Sequence, residues 1–466
     1  MTRKRGSWRF RTELIIAAAA LLSAGAADSG SAVPAGAAAA NEAQGQMHGG
    51  ILTGGILQAS AAEAVITFDA NGGSGEMDPY VLENGEGTLP ACEFSRYGYI
   101  FRGWMTDPDS TLADYEELEE VSGLSSMTLY ALWEPQMYII HYDANGASLG
   151  SMEDSYGIYD ETVRLSTNTF TMPGHRFSQW IDTNTGTFYE NEDEVVNLHS
   201  GNTYSRAVIT VDAGDPEDSS YSFKSTQGSC VFEEDGVLYL VTAASINDDA
   251  YYDGDLSHYE TILTKYNLET GEVVAVARNL AFDHGNGICY NEDNGHIYIA
   301  EGGTLSDYPS GVMEVDENLN YVAEYNFPLL THIWAIAWAD GHFYLIGRNE
   351  DSRNSFCILN EDMQTLSITA VDDYYTNYSS QGIASDGSFI YALSAGFSTY
   401  EWQTQQRINV FSTDGEYLGV WTIDIPYEAE DITVLGPYAY ISTNEGAVST
   451  LYRTRIPATT LTATWK

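Results

Sequence analysis

Five side chains with hydrogen-bonding or aromatic groups occupy the same position in a loose repeat in the second half of the chain. Each precedes a short run of small and apolar residues that leads to a tyrosine, and the five are Gln227, Asn286, Trp334, Gln381 and Glu430. Four of them are polar in otherwise apolar surroundings. Amide, carboxylate and indole groups gathered around one axis would suit a sugar or another small polar molecule, which needs hydrogen bonds and an aromatic face.

Three further polar residues adjoin these positions and complete the predicted ligand-binding set. His284 belongs to the string DHGNG, His332 lies two residues before the tryptophan, and Asp431 follows the glutamate. The alternative interpretation is that these side chains only satisfy the polar ends of buried strands. A polysaccharide-cleaving enzyme also stays open by analogy of fold, with Asp283, Glu430 and Asp431 as its carboxylates.

Known catalytic and metal-binding motifs do not accompany these residues. The sequence has no HExxH, no Walker loop and no GxGxxG between a strand and a helix. We therefore assign no catalytic residue and no cofactor, and prefer a binding function to an enzymatic one. A metal pair of His284 and His332 lacks further ligands at a recognisable spacing. The Asp-rich insertion from Asn247 to Asp255 would suit calcium, but without an ordered D-x-D-x-D-G loop a solvated loop is the preferred interpretation.

The elements that must position the predicted site are strand pairs around glycine turns. They share an aligned tyrosine, at Tyr239, Tyr298, Tyr344, Tyr391 and Tyr440, with gaps of 59, 46, 47 and 49 residues. Two more strands follow each pair, and four strands per period of about 45–50 residues are typical of a β-propeller blade. Five periods favour five blades, although a sixth irregular blade stays open. The fifth blade either takes its outer strands from 451–456 and the final LTATW, or is closed by 207–211.

A short sequence motif occurs twice in the first half of the chain. Residues 66–71 read ITFDAN and residues 140–145 read IHYDAN, and each is followed by an aromatic string, GYIFRGW at 98–104 and GHRFSQW at 174–180. The DAN units are 74 residues apart and the tryptophans 76. This period predicts tandem copies of one small domain. In so small a unit the aromatic residues Phe68, Phe101, Trp104 and Tyr130 are expected to form the core rather than a binding site.

These strings resemble the Listeria–Bacteroides repeat, the internalin-type B-repeat of bacterial surface proteins. The first copy has its DANGG turn at 69–73, its GYxFxGW string and its LYAxW string at 129–133. The second copy departs from the pattern, with Ala147 at the second glycine, Gln179 at the glycine before the tryptophan and Ala207 at the final tryptophan. The resemblance implies a β-grasp-like fold and a spacer or adhesive role in a secreted or surface protein. The second half resembles, loosely, secreted bacterial propellers with YVTN-like or NHL-like blades, which implies an architecture and no activity.

The N-terminal segment and the charge bear on location and partners. Five basic residues up to Arg11, an apolar run from Leu14 to Leu22 and the small residues 24–26 are typical of a secretory signal peptide, with a retained membrane anchor as the alternative. The net charge is −48, and becomes −52 without residues 1–26, which hold five basic residues and one acidic residue. Such a charge argues against binding nucleic acid or anionic membrane.

The four cysteines lack metal-site spacing and are interpreted as small buried residues, with a Cys230–Cys289 pair as the alternative.

We accordingly predict a mainly β chain in which two small β-grasp-like repeats are followed by a β-propeller, most simply of five blades. The segments are a signal peptide (1–26), a flexible Ala/Gly-rich leader (27–62), a first repeat (63–135), a diverged second repeat (136–211) and the propeller (215–466). The predicted protein is a secreted or surface-associated bacterial binding or adhesion protein. Its repeats act as a spacer and its propeller binds an extracellular glycan or protein. An extracellular polysaccharide hydrolase or lyase and a purely structural spacer are the alternatives.

Overall fold

The structure of the chain is a computed structural model. It describes residues 63–199, 205–215, 223–247, 259–280, 285–302, 311–349, 351, 353–371, 378–396, 405–446 and 448–466. Every regular element in these ranges is a β-strand, so the predicted mainly β class is confirmed. No helix in the described ranges is long and apolar enough to cross a membrane.

The first repeat is formed by one continuous stretch of chain. Its strands are β1 (Glu63–Asp69), β2 (Tyr80–Glu83), β3 (Gly87–Thr88), β4 (Tyr99–Met105), β5 (Glu120–Val121) and β6 (Met127–Pro135). The main sheet has the order β2-β1-β6-β4, with β1 and β6 parallel. The fully buried Trp104 packs against Phe68 and Phe101, whose ring centroids are 4.7 and 4.8 Å away. Phe101 and Trp104 therefore lie in the core and the half-buried Phe68 packs against it, as their spacing predicts. Tyr130 is also half-buried but does not belong to this apolar cluster.

The DAN turn fastens the first strand of this repeat to its last strand. Asn71 has a left-handed backbone (φ 42°), and its N–H donates to Asp69 Oδ1 at 2.8 Å. Its side-chain amide donates to the carbonyl of Ala131 on β6 at 3.0 Å. The indole N–H of Trp133 donates back to the carbonyl of Ala70 at 2.8 Å. These reciprocal bonds explain why the DAN string and the final tryptophan occur together.

The second repeat begins with the same elements. Its strands are β7 (Met137–Asp143), β8 (Ser155–Ile158), β9 (Thr162–Arg164), β10 (Phe177–Asp182), β11 (Thr187–Tyr189) and β12 (Glu194–Val196). Trp180 is fully buried, as Trp104 is in the first repeat, and packs against Tyr142 and Phe177 with ring centroids 5.0 Å away in each case. No strand among β7–β12 takes the place of β6, so the closing strand of this repeat must come from elsewhere in the chain.

Five four-stranded antiparallel sheets follow within the described residues. β13 (Arg206–Asp212) comes first along the chain but belongs to the fifth sheet. The first sheet is β14 (Phe223–Glu234), β15 (Val237–Asn247), β16 (Tyr259–Asn267) and β17 (Val273–Leu280); the second is β18 (Gly287–Asn291), β19 (His296–Ala300), β20 (Gly311–Val315) and β21 (Tyr321–Asn326). The third is β22 (Leu330–Ala339), β23 (His342–Asn349), β24 (Asn354–Asn360) and β25 (Thr365–Ala370); the fourth is β26 (Tyr378–Ser385), β27 (Phe389–Gly396), β28 (Gln405–Ser412) and β29 (Tyr417–Asp424). The fifth is β30 (Glu428–Leu435), β31 (Tyr438–Asn444) and β32 (Val448–Arg455), with β13 at its outer edge.

These sheets form a closed, propeller-like ring. The first strand of each sheet contacts the first strand of the next, and β30 of the fifth sheet contacts β14 of the first. Each pair of neighbouring sheets encloses its own apolar cluster, and the cluster of Val211, Val231 and Leu240 joins the fifth sheet to the first. The ring is closed by β13, which pairs with β32, so of the two closures open from the sequence the one through 207–211 is observed.

The strand that completes the second repeat is β33 (Ala458–Trp465), which holds the LTATW string. It runs parallel to β7 and antiparallel to β10, as β6 runs beside β1 and β4. The amide of Asn145 donates to the carbonyl of Ala463 at 2.8 Å, and the indole of Trp465 donates to the carbonyl of Ala144 at 3.1 Å. The prediction that LTATW is an outer strand of the fifth blade is therefore wrong. Ala207 does not stand for the final tryptophan of this repeat either, because Trp465 makes its hydrogen bond.

Both repeats pack against the ring of sheets. Met137 and Ile139 of β7 belong to the same apolar cluster as Trp421 and Ile423 of β29. In the first repeat, the carbonyl of Phe101 accepts a buried hydrogen bond of 2.9 Å from the guanidinium of Arg407 on β28. The repeats thus form a base beneath the fourth and fifth sheets.

Candidate functional site

The five residues predicted as a ring lie at equivalent places in the inner strands. Gln227, Trp334, Gln381 and Glu430 fall within β-bulges of β14, β22, β26 and β30, and Asn286 directly precedes the first residue of β18. A bulge inserts an extra residue and re-aims its side chain away from the regular alternation. The repeated bulge therefore places these four residues at equivalent points of their strands, where the regular alternation is interrupted.

Small residues follow four of these positions because the inner strands approach one another closely there. They are Gly228, Gly287, Ala335 and Gly382. A Cβ added at Gly228 would lie 2.2 Å from the carbonyl oxygen of Gly285, and one at Gly287 would lie 2.6 Å from Ala335 Cα. Side chains cannot enter at this level without moving backbone.

Asp431 occupies the corresponding position in the fifth sheet and is completely buried. Its Oδ2 accepts hydrogen bonds from the backbone N–H of Ser229 and of Ile288, each 2.9 Å long, and its Oδ1 accepts one of 2.8 Å from Ile432. Burial raises the pKa of the Asp431 carboxyl well above its ordinary value, and the three N–H donors oppose that rise. One side chain thus joins three sheets at the axis, which assigns Asp431 to the floor of the predicted site.

Two further carboxyl groups lie beside this floor. Glu428 and Glu430 are 9% and 4% exposed, and the amide of Gln381 donates to Glu428 Oε1 at 3.2 Å. Burial raises the pKa of Glu428 to about 7, and the hydrogen bond from Gln381 opposes the rise. Burial, followed by the charge of Glu428, raises the pKa of Glu430 well above its ordinary value. Two buried carboxyls that repel each other therefore hold a proton near neutral pH.

The amides on the first two sheets are half-buried. Gln227 donates to Ser225 Oγ at 2.7 Å, and Asn444 of the fifth sheet donates to the same hydroxyl oxygen at 2.9 Å. The side-chain oxygen of Asn286 is buried and has no hydrogen-bond partner among the described residues. The amides of Gln227 and Asn286 therefore retain hydrogen-bonding capacity at the end of the ring.

The third sheet contributes an aromatic and basic group. The ring of His332 lies 6.0 Å from that of Trp334, and the guanidinium of Arg348 on β23 lies 5.1 Å from the indole centroid. His332 and Trp334 are half-buried. The guanidinium over the indole is a cation–π contact, and it places one basic group at the end of the ring in a strongly acidic chain.

Several predicted positions lie outside the described residues. These are Asp283, His284 and most of the Asp-rich insertion, from 248 to 258. The two less favoured alternatives, a calcium site in this insertion and a metal pair of His284 with His332, therefore fall at least partly outside the described residues. Within the described residues, no three His, Cys, Asp or Glu side chains are grouped so that they could share a metal ion. Cys230, Cys289 and Cys357 are buried free thiols, and Cys92 is a half-buried free thiol.

Sequence reasoning missed Glu428, Asn444 and Arg348. Glu428 precedes Glu430 by two residues, a spacing that puts both side chains on one face of a regular strand. Asn444 and Arg348 come from second strands, opposite Glu428 and His332 in the strand registers. Both residues lie on the second strand of a predicted hairpin, directly across from the aligned region of the first strand, and pairing the two strands in sequence would have identified them.

Two curated bacterial proteins are similar to part of the chain. The chain is 33% identical over 93 residues to a protein of Evansella cellulosilytica named "Putative Gly-rich membrane protein", a match that covers 20% of this chain and 10% of that protein. It is 28% identical over 120 residues to a "Putative membrane protein" of the same organism, covering 25% of this chain and 18% of that protein. The chain therefore spans less than a fifth of the length of these curated relatives.

A solved structure similar to this chain is the WD40 domain of Neurospora crassa Pan2, with 8% identity and a TM-score of 0.28 over 53% of this chain and 95% of that one. The sequence model of the Listeria-Bacteroides repeat domain matches residues 65–132 and 138–200. The first half of the chain therefore contains two adjacent copies of the Listeria-Bacteroides repeat.

Proposed function

We propose that this is an exported bacterial surface protein in which a five-bladed β-propeller binds a glycan at one mouth of its ring. Two β-grasp-like repeats form the base that carries the propeller. Five sheets, five apolar clusters between them and closure by β13 support the blade number. Export through residues 1–26 is part of the proposal, and N-terminal sequencing of the mature protein would test it.

The observation that carries the binding site is the bulge repeated in four inner strands. It directs polar or aromatic side chains to one end of the ring, above a floor closed by Asp431. A polar depression with a closed floor can hold a small ligand, whereas an open channel would let it pass. Amide groups and an indole are the side chains with which proteins commonly bind sugars.

The division between buried and half-buried side chains suggests separate roles. Gln381, Glu430 and Asp431 are at most 7% exposed and hold the floor in place. Gln227, Asn286, His332 and Trp334 are only half-buried and are the groups that contact the ligand.

The repeats act in this proposal as a rigid base instead of a flexible spacer. Tyr99 of the first repeat donates to Asp160 of the second at 2.9 Å, and Met137 shares an apolar cluster with the propeller. A base fixed in this way holds the propeller in one orientation on its support. Binding by the propeller and spacing by the repeats are then parts of one function.

A glycan array probed with residues 63–466 tests the site. Trp334→Ala and Asn286→Ala should each weaken binding at least tenfold, because they remove the aromatic face and an amide of the mouth. The matched control is Tyr321→Ala, which removes an aromatic side chain that is 58% exposed on β21. Binding that is equal in all three variants would contradict the mouth site.

A polysaccharide hydrolase is the second candidate, favoured by the coupled carboxyls Glu428 and Glu430. A carboxyl that keeps its proton near neutral pH is suited to general acid catalysis. Asp431 is unsuited to be a catalytic carboxylate, because its oxygens already accept hydrogen bonds from three backbone N–H groups. Release of reducing ends that is lost in Glu428→Gln and Glu430→Gln, with glycan binding retained, would favour the enzyme. Binding without release would favour the binding protein.

A further inference from the structure

A histidine lies at the edge of the contact between the second repeat and the ring. It is His141 on β7, the strand whose Met137 and Ile139 share an apolar cluster with the fourth and fifth sheets. Alternate residues of a strand point to the same side, so His141 points to the side of the repeat that faces the ring. Its side chain is 36% exposed, so protons from the solvent can reach it.

An aspartate of the same repeat holds this histidine. His141 Nδ1 lies 2.6 Å from Oδ2 of Asp154, which directly precedes β8 and whose side chain is 22% exposed. The hydrogen bond to Asp154 raises the pKa of His141 above its ordinary value, burial opposes the rise, and the charges of Asp154 and Asp386 add to it. Protonated His141 therefore forms an ion pair with Asp154.

The ring brings a second carboxylate to this ion pair. Asp386 lies in the turn between β26 and β27, and its Oδ2 accepts a hydrogen bond of 2.6 Å from the hydroxyl of Tyr391. Burial raises the pKa of Tyr391, and the charges of Asp386 and Asp154 raise it further. Because both carboxylates act on both His141 and Tyr391, they lie on opposite sides of one contact.

Two other features complete the contact between the repeat and this turn. The rings of Tyr156 on β8 and Phe389 on β27 lie 6.5 Å apart, edge to face. Arg455, the last residue of β32, lowers the pKa of His141 and is the second cation near the two carboxylates. When His141 loses its proton, an attraction across the contact is lost, and one nearby cation is left to offset two carboxylates.

The first repeat offers a comparison, because it lacks the titratable pair. In the aligned strings ITFDAN and IHYDAN, Thr67 stands where His141 does. In the strand registers, Pro79 precedes β2 as Asp154 precedes β8. The hydroxyl of Thr67 bonds within its own sheet, 2.8 Å from that of Thr128. Of the two copies, only the one whose first strand packs against the ring therefore carries the pair.

We propose that His141, Asp154 and Asp386 form a pH-sensitive latch between the second repeat and the fourth sheet, closed when His141 is protonated. The contribution of the latch is complete below about pH 6.5, the ordinary pKa of histidine, and is lost as the pH rises through the raised pKa of His141. Above that pH the turn between β26 and β27 separates more often from β8, while the apolar cluster keeps the ring on the repeat. The base is thus stiffest in mildly acidic surroundings. This latch does not rest on ligand binding at the mouth.

Hydrogen–deuterium exchange of the intact chain, read by mass spectrometry at about pH 5.5 and about pH 8, tests the latch. After correction for the direct effect of pH on exchange, peptides covering 385–389 and 154–158 should exchange about threefold faster at the higher pH. In His141→Gln, which cannot carry the charge, this difference should disappear. The matched control His175→Gln, at an exposed position in the same repeat, should keep the full difference.

A second variant keeps the test independent of the packing of the histidine ring. Asp154→Asn retains the shape of the side chain and removes its charge, so it should lower the pKa of His141 that NMR of the imidazole protons measures. An unchanged pKa of His141 in this variant would overturn the proposal. Equal exchange at the two pH values in the unaltered chain would overturn it, and so would a pH-dependent difference that persists in His141→Gln.

Discussion

In the first repeat 21 residues separate β4 from the closing strand β6, whereas in the second 275 residues separate β10 from β33. Both closing strands nevertheless lie between equivalent neighbours and receive equivalent hydrogen bonds from the asparagine of the DAN turn. The difference shows that the five-sheet ring is inserted into the second repeat, just before its last strand. Two tandem copies of one domain thus differ in whether a second domain interrupts them.

The insertion makes the ring and the second repeat depend on each other. β13 and β32 close the ring, and the two residues after β32 lead directly into β33. A mutation that weakens the packing of β33 should therefore destabilise the closure of the ring, whereas one that weakens the packing of β6 should not. The first repeat is the internal control for the second.

The largest effect is expected from the matched leucines of the closing strands. Leu461 on β33 and Leu129 on β6 are both fully buried, opposite Tyr142 and Phe68 respectively. Changing either to alanine should cost about 2–5 kcal/mol in the repeat that contains it. Hydrogen exchange should accelerate in β13 and β32 only in Leu461→Ala. Equal hydrogen exchange of β13 and β32 in the two variants would contradict the claim that the ring depends on the second repeat alone.

A slightly smaller effect is expected from the axis of the ring. Asp431→Ala leaves the N–H groups of Ser229 and Ile288 buried without acceptors, at about 2–4 kcal/mol in urea unfolding. Exchange should rise in the ring and in the second repeat, with the first repeat unaffected. Asp431→Asn keeps one acceptor oxygen and should cost less. A loss confined to the first repeat would contradict the proposed dependence.

The asparagines of the two DAN turns give the next comparison. Asn71 and Asn145 have φ angles of 42° and 47° and donate to equivalent carbonyls, on β6 and β33. Either change to alanine should cost about 1–2 kcal/mol, from the lost hydrogen bond and the left-handed backbone. The two losses of unfolding free energy should agree within experimental error if the turns are equivalent. A negligible loss for Asn145→Ala alone would contradict this equivalence.

A dependence of stability on pH is expected from Glu428 in the ring. Burial raises the pKa of Glu428 from 4.5 to about 7. The folded carboxyl therefore holds its proton more tightly than the unfolded one, and its contribution to stability is lost as pH rises from about 4.5 to about 7. In Glu428→Gln the decline of unfolding free energy across this window should shrink. The exposed Glu361→Gln is the control, and an unchanged decline in Glu428→Gln would oppose the assignment.

The sequence reveals most of the fold where strands follow one another along the chain. The duplicated DAN strings and the aligned tyrosines predict both repeats and the five strand pairs. LTATW carries the Leu, Ala and Trp of LYALW, but its partner Asn145 lies 318 residues from Ala463, and reading in chain order assigns it to the nearer blade. Periodicity describes neighbours in sequence, so an insertion separates the copies of a motif without altering either one.

Alignment alone predicts the equivalent strand positions of the five residues of the candidate site, because the bulges fall at the aligned positions. The roles of its members could not be predicted in the same way. Whether a side chain is buried, as Glu430 is, or half-buried, as Trp334 is, depends on neighbouring sheets and on the close approach at Gly228 and Gly287. The sequence predicts Asp431 as a ligand-binding residue, whereas its carboxylate oxygens accept hydrogen bonds from the backbone of three strands.

The most direct test of the inserted arrangement is a cross-link between β10 and β33. Ile181 and Thr462 are direct partners in the second repeat, and Met105 and Tyr130 are their equivalents in the first. Residues directly opposite on antiparallel strands are close enough for a disulfide when both are changed to cysteine. After mild oxidation and proteolysis, mass spectrometry should find linked peptides in both Ile181→Cys/Thr462→Cys and Met105→Cys/Tyr130→Cys. A cross-link that forms in the first repeat but not between residues 181 and 462 would contradict insertion of the ring into the second repeat.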